Sequence, residues 1–352
     1  MKDSTGGDAE RAVLTLADIP FSETYPQEPA TPPLQDVWSR EPAKRSWARR
    51  YWLRQQIQGR INQISHTLFR FIPCDLGSGL AGRLSLLAFW RYGERVFAKR
   101  ISRNLQVLAP ERCGTTASHR VALRNWWSNT GRTIAEFSVV NALWRQGRVS
   151  MEGEENLAAA RAQGGPLIFV SMHLSTWEAV FAVAHQAIAP PNIGPFQPEP
   201  SRFTNRIVYA SRKRRNQYIF PPGQRSAFRL QRLLAGGSAA SMTIFVDEVR
   251  DSQVHLPLFG RTPPGKGNAV VAVKLANSTA ATLVPVYLKR TRGARFTLAI
   301  LPPLAKTVDN GKPYPIPETI MKFNEIFEPL VIENIEHWYM LGELRLPEHY
   351  DF

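Results

Sequence analysis

The sequence predicts an α/β fold, a mixed and largely parallel sheet flanked by helices, with an N-terminal helical region in front of it. Three observations predict this. The runs Leu167–Met172, Ser241–Val246 and Thr282–Leu288 are short, apolar and partly branched, as strands buried on both faces are. Stretches with helical composition, such as 228–234 and 268–276, stand between them, and that alternation favours a sheet with helices on both faces. A chain of 352 residues is also long enough to bury a substantial core.

Taken in order, residues 1–45 are rich in proline (Pro20, Pro26, Pro29, Pro32, Pro33 and Pro42) and have no sustained apolar period, so they read as a disordered or loosely draped arm. The first residues have neither the basic nor the apolar region of a signal peptide, and export is not expected. Residues 46–345 read as one domain, helical over 46–150 and α/β over 151–345. In the helical part Ile57, Ile61, Ile64 and Leu68 recur at three- and four-residue steps, giving one apolar face and one basic face. Gly79–Trp90 is the most apolar stretch, but Arg83 interrupts it, and it falls short of the about 20 residues that span a bilayer. Such a helix either lies among lipid headgroups or packs on the core. Trp126, Trp127, Phe137 and Trp144 mark a further helical stretch over 118–146.

The formal net charge is +15, and of 44 basic residues only 10 are lysine. Arginine binds phosphate and carboxylate in a bidentate manner, so the partner should be anionic: nucleic acid, anionic lipid or an acidic protein. The two cysteines, Cys74 and Cys113, have no metal-ligand spacing and suit a reducing compartment.

Chemistry concentrates in Pro166–Glu178, where a strand should give way to a helix. Ser175-Thr-Trp-Glu178 matches a capping box, so the helix should begin at Ser175. Within one helix, side chains five apart point roughly 140° away from each other. With His173 on the loop before the cap and Glu178 in the first turn, the two side chains converge instead. A neutral imidazole can then take a proton from an attacking hydroxyl while the carboxylate fixes its tautomer. The alternative is that Glu178 only caps the helix and His173 is an ordinary hydrogen-bonded residue. No G-x-S-x-G elbow surrounds Ser175, so an acyl-serine intermediate is not indicated.

Asp247 and Glu248 follow the strand 241–246 directly. Ligand sites in parallel sheets form beyond the carboxyl ends of strands, so this pair should open on the side of His173. Asp247, Glu248, Asp251 and His255 match no metal-ligand spacing, and no metal is expected. Gly260–Gly267 nearly spells a phosphate-binding loop, which would make the chain a nucleotide hydrolase. Gly267, however, replaces the Mg²⁺-binding Ser or Thr, and Pro263 and Pro264 lack N–H groups. Ser211-Arg-Lys-Arg-Arg215 is the densest basic cluster, read either as a solvated face or as a dock for an acidic carrier protein or a lipid phosphate.

His173 to Glu178 resembles the H-x4-[DE] motif of the glycerolipid acyltransferases, and most closely the late acyltransferases of lipid A biosynthesis, the lauroyl and myristoyl transferase family. Arg103-Asn-Leu105, Phe245-Val-Asp-Glu248, Leu256-Pro-Leu-Phe-Gly260, Leu283-Val-Pro-Val286 and Glu333-Asn-Ile-Glu-His-Trp338 follow the family's order, so that the resemblance covers roughly residues 50 to 345. It implies transfer of a fatty acyl group from a thioester, carried on acyl carrier protein, to a hydroxyl of a lipid A precursor or related glycolipid, with His173 as general base supported by Glu178. It also implies Asn205, Arg206, Arg225, Asp247, Glu248, Gly260 and Thr262 as substrate-binding residues, no cofactor, no nucleic acid, and peripheral attachment to the cytoplasmic face of a bacterial inner membrane through the helical part. Gln197 stands where relatives carry an arginine, and Leu341-Gly-Glu343 replaces a basic ending, which leaves room for another glycolipid or an aminolipid. The rival from another class is a non-catalytic basic module that binds anionic membrane or nucleic acid through residues 211–215.

Overall fold

In the computed structural model, which describes residues 13–307 and 313–347, helices α1 (Pro42–Arg49), α2 (Gln55–Phe69), α3 (Cys74–Tyr92), α4 (Val96–Leu108), α5 (Thr116–Glu136) and α6 (Val140–Leu143) precede the sheet. The α/β part then runs β1 (Val149–Glu152), α7 (Glu154–Ala162), β2 (Leu167–Ser171), α8 (Glu178–Val183), β3 (Asn192–Pro195), α9 (Arg202–Arg214), β4 (Ile219–Phe220), α10 (Gln224–Ala235) and β5 (Ser241–Phe245). A hairpin of β6 (Val249–Arg250) and β7 (Gln253–Val254) is followed by α11 (Asn268–Thr279), β8 (Thr282–Arg292), β9 (Arg295–Ile300) and α12 (Ile316–Glu333).

Seven strands form one sheet in the order β1-β9-β8-β2-β5-β3-β4. Every neighbouring pair is parallel except β8 and β9. The predicted α/β class, mostly parallel sheet and N-terminal helical region are all present. Successive side chains of β2 enter opposite cores: Ile168 and Val170 lie on the side of α11 and α12, Leu167 and Phe169 on the side of α8. Burial on both faces is why the strand reads as an unbroken apolar run.

Helices α3 and α5 approach closely through small residues. A Cβ on Gly131 would lie 2.6 Å from the Ala81 carbonyl oxygen, and one on Gly82 2.8 Å from Ser128 Oγ. The proline-rich arm follows a specific course from Val13 onward rather than a loose one. Phe21 and Tyr25 pack against Tyr209, the latter edge-on, Glu23 pairs with Arg225 and Arg229, and Glu28 holds Arg206 at 3.0 Å. Single aromatic and charged anchors do this, which is why no apolar period marks the segment. Residues 1–12 lie outside the described residues.

Helix α12 ends at Glu333 and gives way to 3-10 turns at Ile335–His337 and Tyr339–Gly342. Asn104 Nδ2, in α4, donates to the carbonyls of Leu341 (2.8 Å) and Leu344 (2.9 Å) and so fixes this last segment. Asn104 thus acts structurally, holding the segment that follows Trp338.

Candidate active site

β2 and β5 pair in parallel from Leu167↔Ser241 to Ser171↔Phe245. The same register, continued two residues past the strand ends, sets His173 opposite Asp247. His173 Nδ1 lies 2.6 Å from Asp247 Oδ1, and the His173 backbone N–H donates to Oδ2 at 2.8 Å. A third donor, Trp338 Nε1, reaches Oδ2 at 2.9 Å. Asp247 is completely buried, whereas the His173 side chain keeps 17% of its exposure. A carboxylate on one ring nitrogen makes that nitrogen the N–H donor, which leaves Nε2 as the free base. Phe245 and Trp177 flank the imidazole with centroids 4.6 and 5.2 Å away, and Tyr339 stacks on Trp177.

Glu178 was expected behind His173, and the structure places it elsewhere. The helix starts at Glu178 instead of Ser175, because Ser175 has φ 52°, outside the extended region an N-cap requires. The Ser175 N–H bonds to the His337 carbonyl at 3.0 Å, and no capping box forms. The Glu178 side chain turns inward, where Arg212 grips it with two 3.0 Å bonds and Arg215 with one of 2.5 Å. Burial by itself would raise this carboxyl; the charges of Arg212 and Arg215 outweigh it and bring its pKa to about 2.

The basic cluster at 211–215 is correspondingly split. Arg212 and Arg215 are buried and committed to Glu178, whereas Lys213 and Arg214 face solvent. Positions three apart share one helix face, and here that face is the inner one. Arg212 also lies over the Phe196 ring, 4.5 Å from its centroid. A nucleic-acid or carrier-protein dock built on all four cations is therefore not available.

The other predicted site residues scatter. Asn205 clips the Phe196–Pro200 loop through the backbone of Glu199, donating to its carbonyl at 2.9 Å and accepting its N–H at 2.8 Å. Arg206 and Arg225 pair with the arm's Glu28 and Glu23. Glu248 accepts the Asn268 N–H at 2.7 Å, so the helix start that a phosphate loop would offer to an anion already holds a carboxyl. Burial pushes Glu248 up to about 7. Gly260, with φ 75°, and the exposed Thr262 belong to the loop leading to α11.

Two residues near the imidazole had no role assigned from the sequence. Trp338 sat in a family-like segment without an assigned role. Glu199 lies in the loop before α9; burial raises its carboxyl above the ordinary value, against the charges of His173 and Arg212.

Replacing Glu178 with Gln leaves two buried guanidinium groups without a counter-charge. Breaking such a pair costs about 3–5 kcal/mol, and Glu178→Gln is expected to lower the urea midpoint accordingly. The pH dependence follows in sign. The folded pKa of Glu178 lies below its ordinary 4.5, so its contribution is complete above about 4.5 and is lost as pH falls toward 2. Acid unfolding of the variant should lack that part of the slope.

A family model described as bacterial lipid A biosynthesis acyltransferase matches residues 50–345 of the chain. Comparison with curated proteins returned no match.

Proposed function

The chain belongs to the bacterial lipid A biosynthesis acyltransferase family and is an acyltransferase, and on that premise we propose that it moves a fatty acyl group from an acyl carrier protein thioester to a hydroxyl of a lipid A precursor or related glycolipid, with His173 as the base. The observation that carries this reading is the 2.6 Å contact of His173 Nδ1 with the buried Asp247. Asp247, in place of Glu178, then orients the imidazole and stabilises the imidazolium. Nε2 takes the proton of the acceptor hydroxyl as its oxygen attacks the thioester carbonyl. Collapse of the tetrahedral adduct forms the ester and expels the thiolate, which recovers the proton from Nε2. Glu178, locked to Arg212 and Arg215, acts through the fold of the turn that carries His173.

The test is thiol release from acyl carrier protein with and without lipid extract, followed by mass spectrometry of the lipids. Release that requires lipid and adds one acyl mass to a glycolipid supports the reading. Release into water alone, with no acylated lipid, refutes it.

The helical part fits attachment to a membrane surface. Among the described residues no helix is long and apolar enough to cross a membrane. Helix α2 instead exposes Ile57, Ile61, Ile64 and Leu68, each 57–63%, and α3 exposes Leu76, Leu80, Leu84 and Leu87. These are stripes at helical spacing that face solvent rather than core. Arg60, Arg83 and Arg91, all exposed, accompany them, as suits an anionic headgroup layer. Burying one such side chain contributes about 1.5–3 kcal/mol. Ile61→Glu and Leu84→Glu are each expected to weaken sedimentation with phosphatidylglycerol vesicles about tenfold or more without changing the urea midpoint; unchanged vesicle binding would remove this surface from consideration.

A further inference from the structure

Beside the His173 turn, and distinct from it, lies a cavity of about 340 Å³ between α5 and the turn that joins β8 to β9. That is within the lower range of small-molecule sites. Asn125, Asn129 and Arg132 come to it from α5 at spacings of four and three, hence from one helix face. Arg290 and Arg292 come from the end of β8, on either side of a register shift against β9. His337, from the 3-10 turn before Trp338, forms another wall. Apart from Gly293, every lining residue is polar.

The polar groups here are not all satisfied. Arg290, with only 7% of its side chain exposed, is anchored by Nη1 and Nη2 to Glu136 at 2.6 and 2.7 Å. Its Nε is buried with no hydrogen-bond partner among the described residues, and so is His337 Nδ1. A buried donor left unpaired is costly, more so on a charged group, and the Arg290 guanidinium therefore leaves positive charge uncompensated at the wall of the cavity.

The charge balance points the same way. Glu136 neutralises Arg290 from behind, and Glu336 is the remaining acid on the lining, against the cations Arg132, Arg290 and Arg292. The field is still positive. His337 is held down to about 4 by burial first and then by Arg290, Arg132 and Arg112, with no acid among the causes. Burial, then the charge of Arg290, also disfavours the cation at Arg132.

The walls of this cavity are tied to the catalytic turn. Glu136 accepts the hydroxyl of Thr176 as well as the Arg290 guanidinium, and Thr133 Oγ1 donates to the Ser175 carbonyl at 3.1 Å. His337 contributes its carbonyl to the Ser175 N–H at 3.0 Å, and the Tyr339 N–H bonds to the His173 carbonyl at 3.0 Å.

We propose that the cavity walled by Arg132, Arg290, Arg292 and His337 is a phosphate-binding site that takes the headgroup phosphate of the acceptor lipid. The identity of the phosphate's bearer rests on the acyl-transfer reading; the existence of the site does not. A tetrahedral oxyanion in the cavity would accept from the guanidinium groups of Arg132 and Arg292, and would offset their mutual repulsion and that of Arg290.

The test has two arms on the full-length chain. In the first, inorganic phosphate is titrated by calorimetry at neutral pH, and the His337 midpoint is followed by NMR. Wild type is expected to bind one phosphate, and the His337 midpoint to rise by about one unit or more when the anion is present. Arg132→Gln and the solvent-facing Arg292→Gln should each weaken binding about tenfold or more. No phosphate binding, or a His337 midpoint that phosphate leaves in place, overturns the site.

In the second arm, Arg292→Gln is assayed with a phosphorylated glycolipid acceptor and with the same lipid after phosphatase treatment. A KM rise of about tenfold for the phosphorylated lipid alone, with the thioester KM unmoved, supports the assignment to the acceptor. A KM rise for the thioester instead, or for neither substrate, overturns that assignment. Phosphate binding in a wild-type chain that transfers no acyl group to any lipid would sink the acyl-transfer reading and leave the anion site standing.

Discussion

His173→Ala is expected to reduce acyl transfer by about 10²–10⁴ in kcat while the KM values for thioester and acceptor change little. In the proposed mechanism the imidazole acts through its Nε2, which the Asp247 contact at Nδ1 leaves free, so the loss should fall on proton removal from the attacking hydroxyl rather than on substrate binding. The fold should survive the substitution. Asp247 keeps two of its three donors, the backbone N–H of residue 173 and Trp338 Nε1, and the site is partly open to solvent at the imidazole. The measurement is thiol release, and a variant retaining most of the wild-type rate would end the role of His173 as base.

The sheet was legible because its strands are buried on both faces and so read as continuous apolar runs, as at Leu167–Ser171 and Ser241–Phe245. The position of His173 at a strand end was legible for the same reason. Its partner was not. Sequence spacing offers Glu178, five residues away, within a motif that also reads as a helix cap. The actual partner is 74 residues away and becomes visible only when β2 and β5 are paired in register. The capping box failed because Ser175 adopts a left-handed conformation, which tertiary bonds from Thr133 and to His337 support.

The arginine run at 211–215 misled in a related way. A run of like charges suggests solvent, but Arg212, at the end of α9, and Arg215, just past it, turn inward to the Glu178 carboxylate, which the sequence had placed behind His173. Trp338 shows the opposite case. Its segment was recognisable, yet its task depends on the Asn104 contacts that hold the last turns in place.

The two carboxylates are separable by experiment, and Asp247→Asn is expected to have the larger effect on rate, a loss of about 10⁴ in kcat, the size seen when the carboxylate behind a catalytic histidine is made an amide. The geometry explains why an isosteric change would cost so much. Oδ2 of Asp247 receives two N–H donors, from the His173 backbone and Trp338, so the amide oxygen of the asparagine must take that position. Its NH₂ group then faces Nδ1, which becomes an acceptor, and the ring proton moves to Nε2. A protonated Nε2 cannot serve as the base. Because every donor except the imidazole keeps its acceptor, the urea midpoint should shift far less than in Glu178→Gln. For Glu178→Gln the pattern is the reverse: stability falls, and turnover per folded molecule stays near wild type, since that carboxylate is bonded to Arg212 and Arg215. Measuring kcat and the urea midpoint for both variants decides the assignment. If Glu178→Gln folded as wild type but lost turnover, while Asp247→Asn kept it, the histidine would be supported by the nearer carboxylate in the working enzyme and the His173–Asp247 contact would be structural.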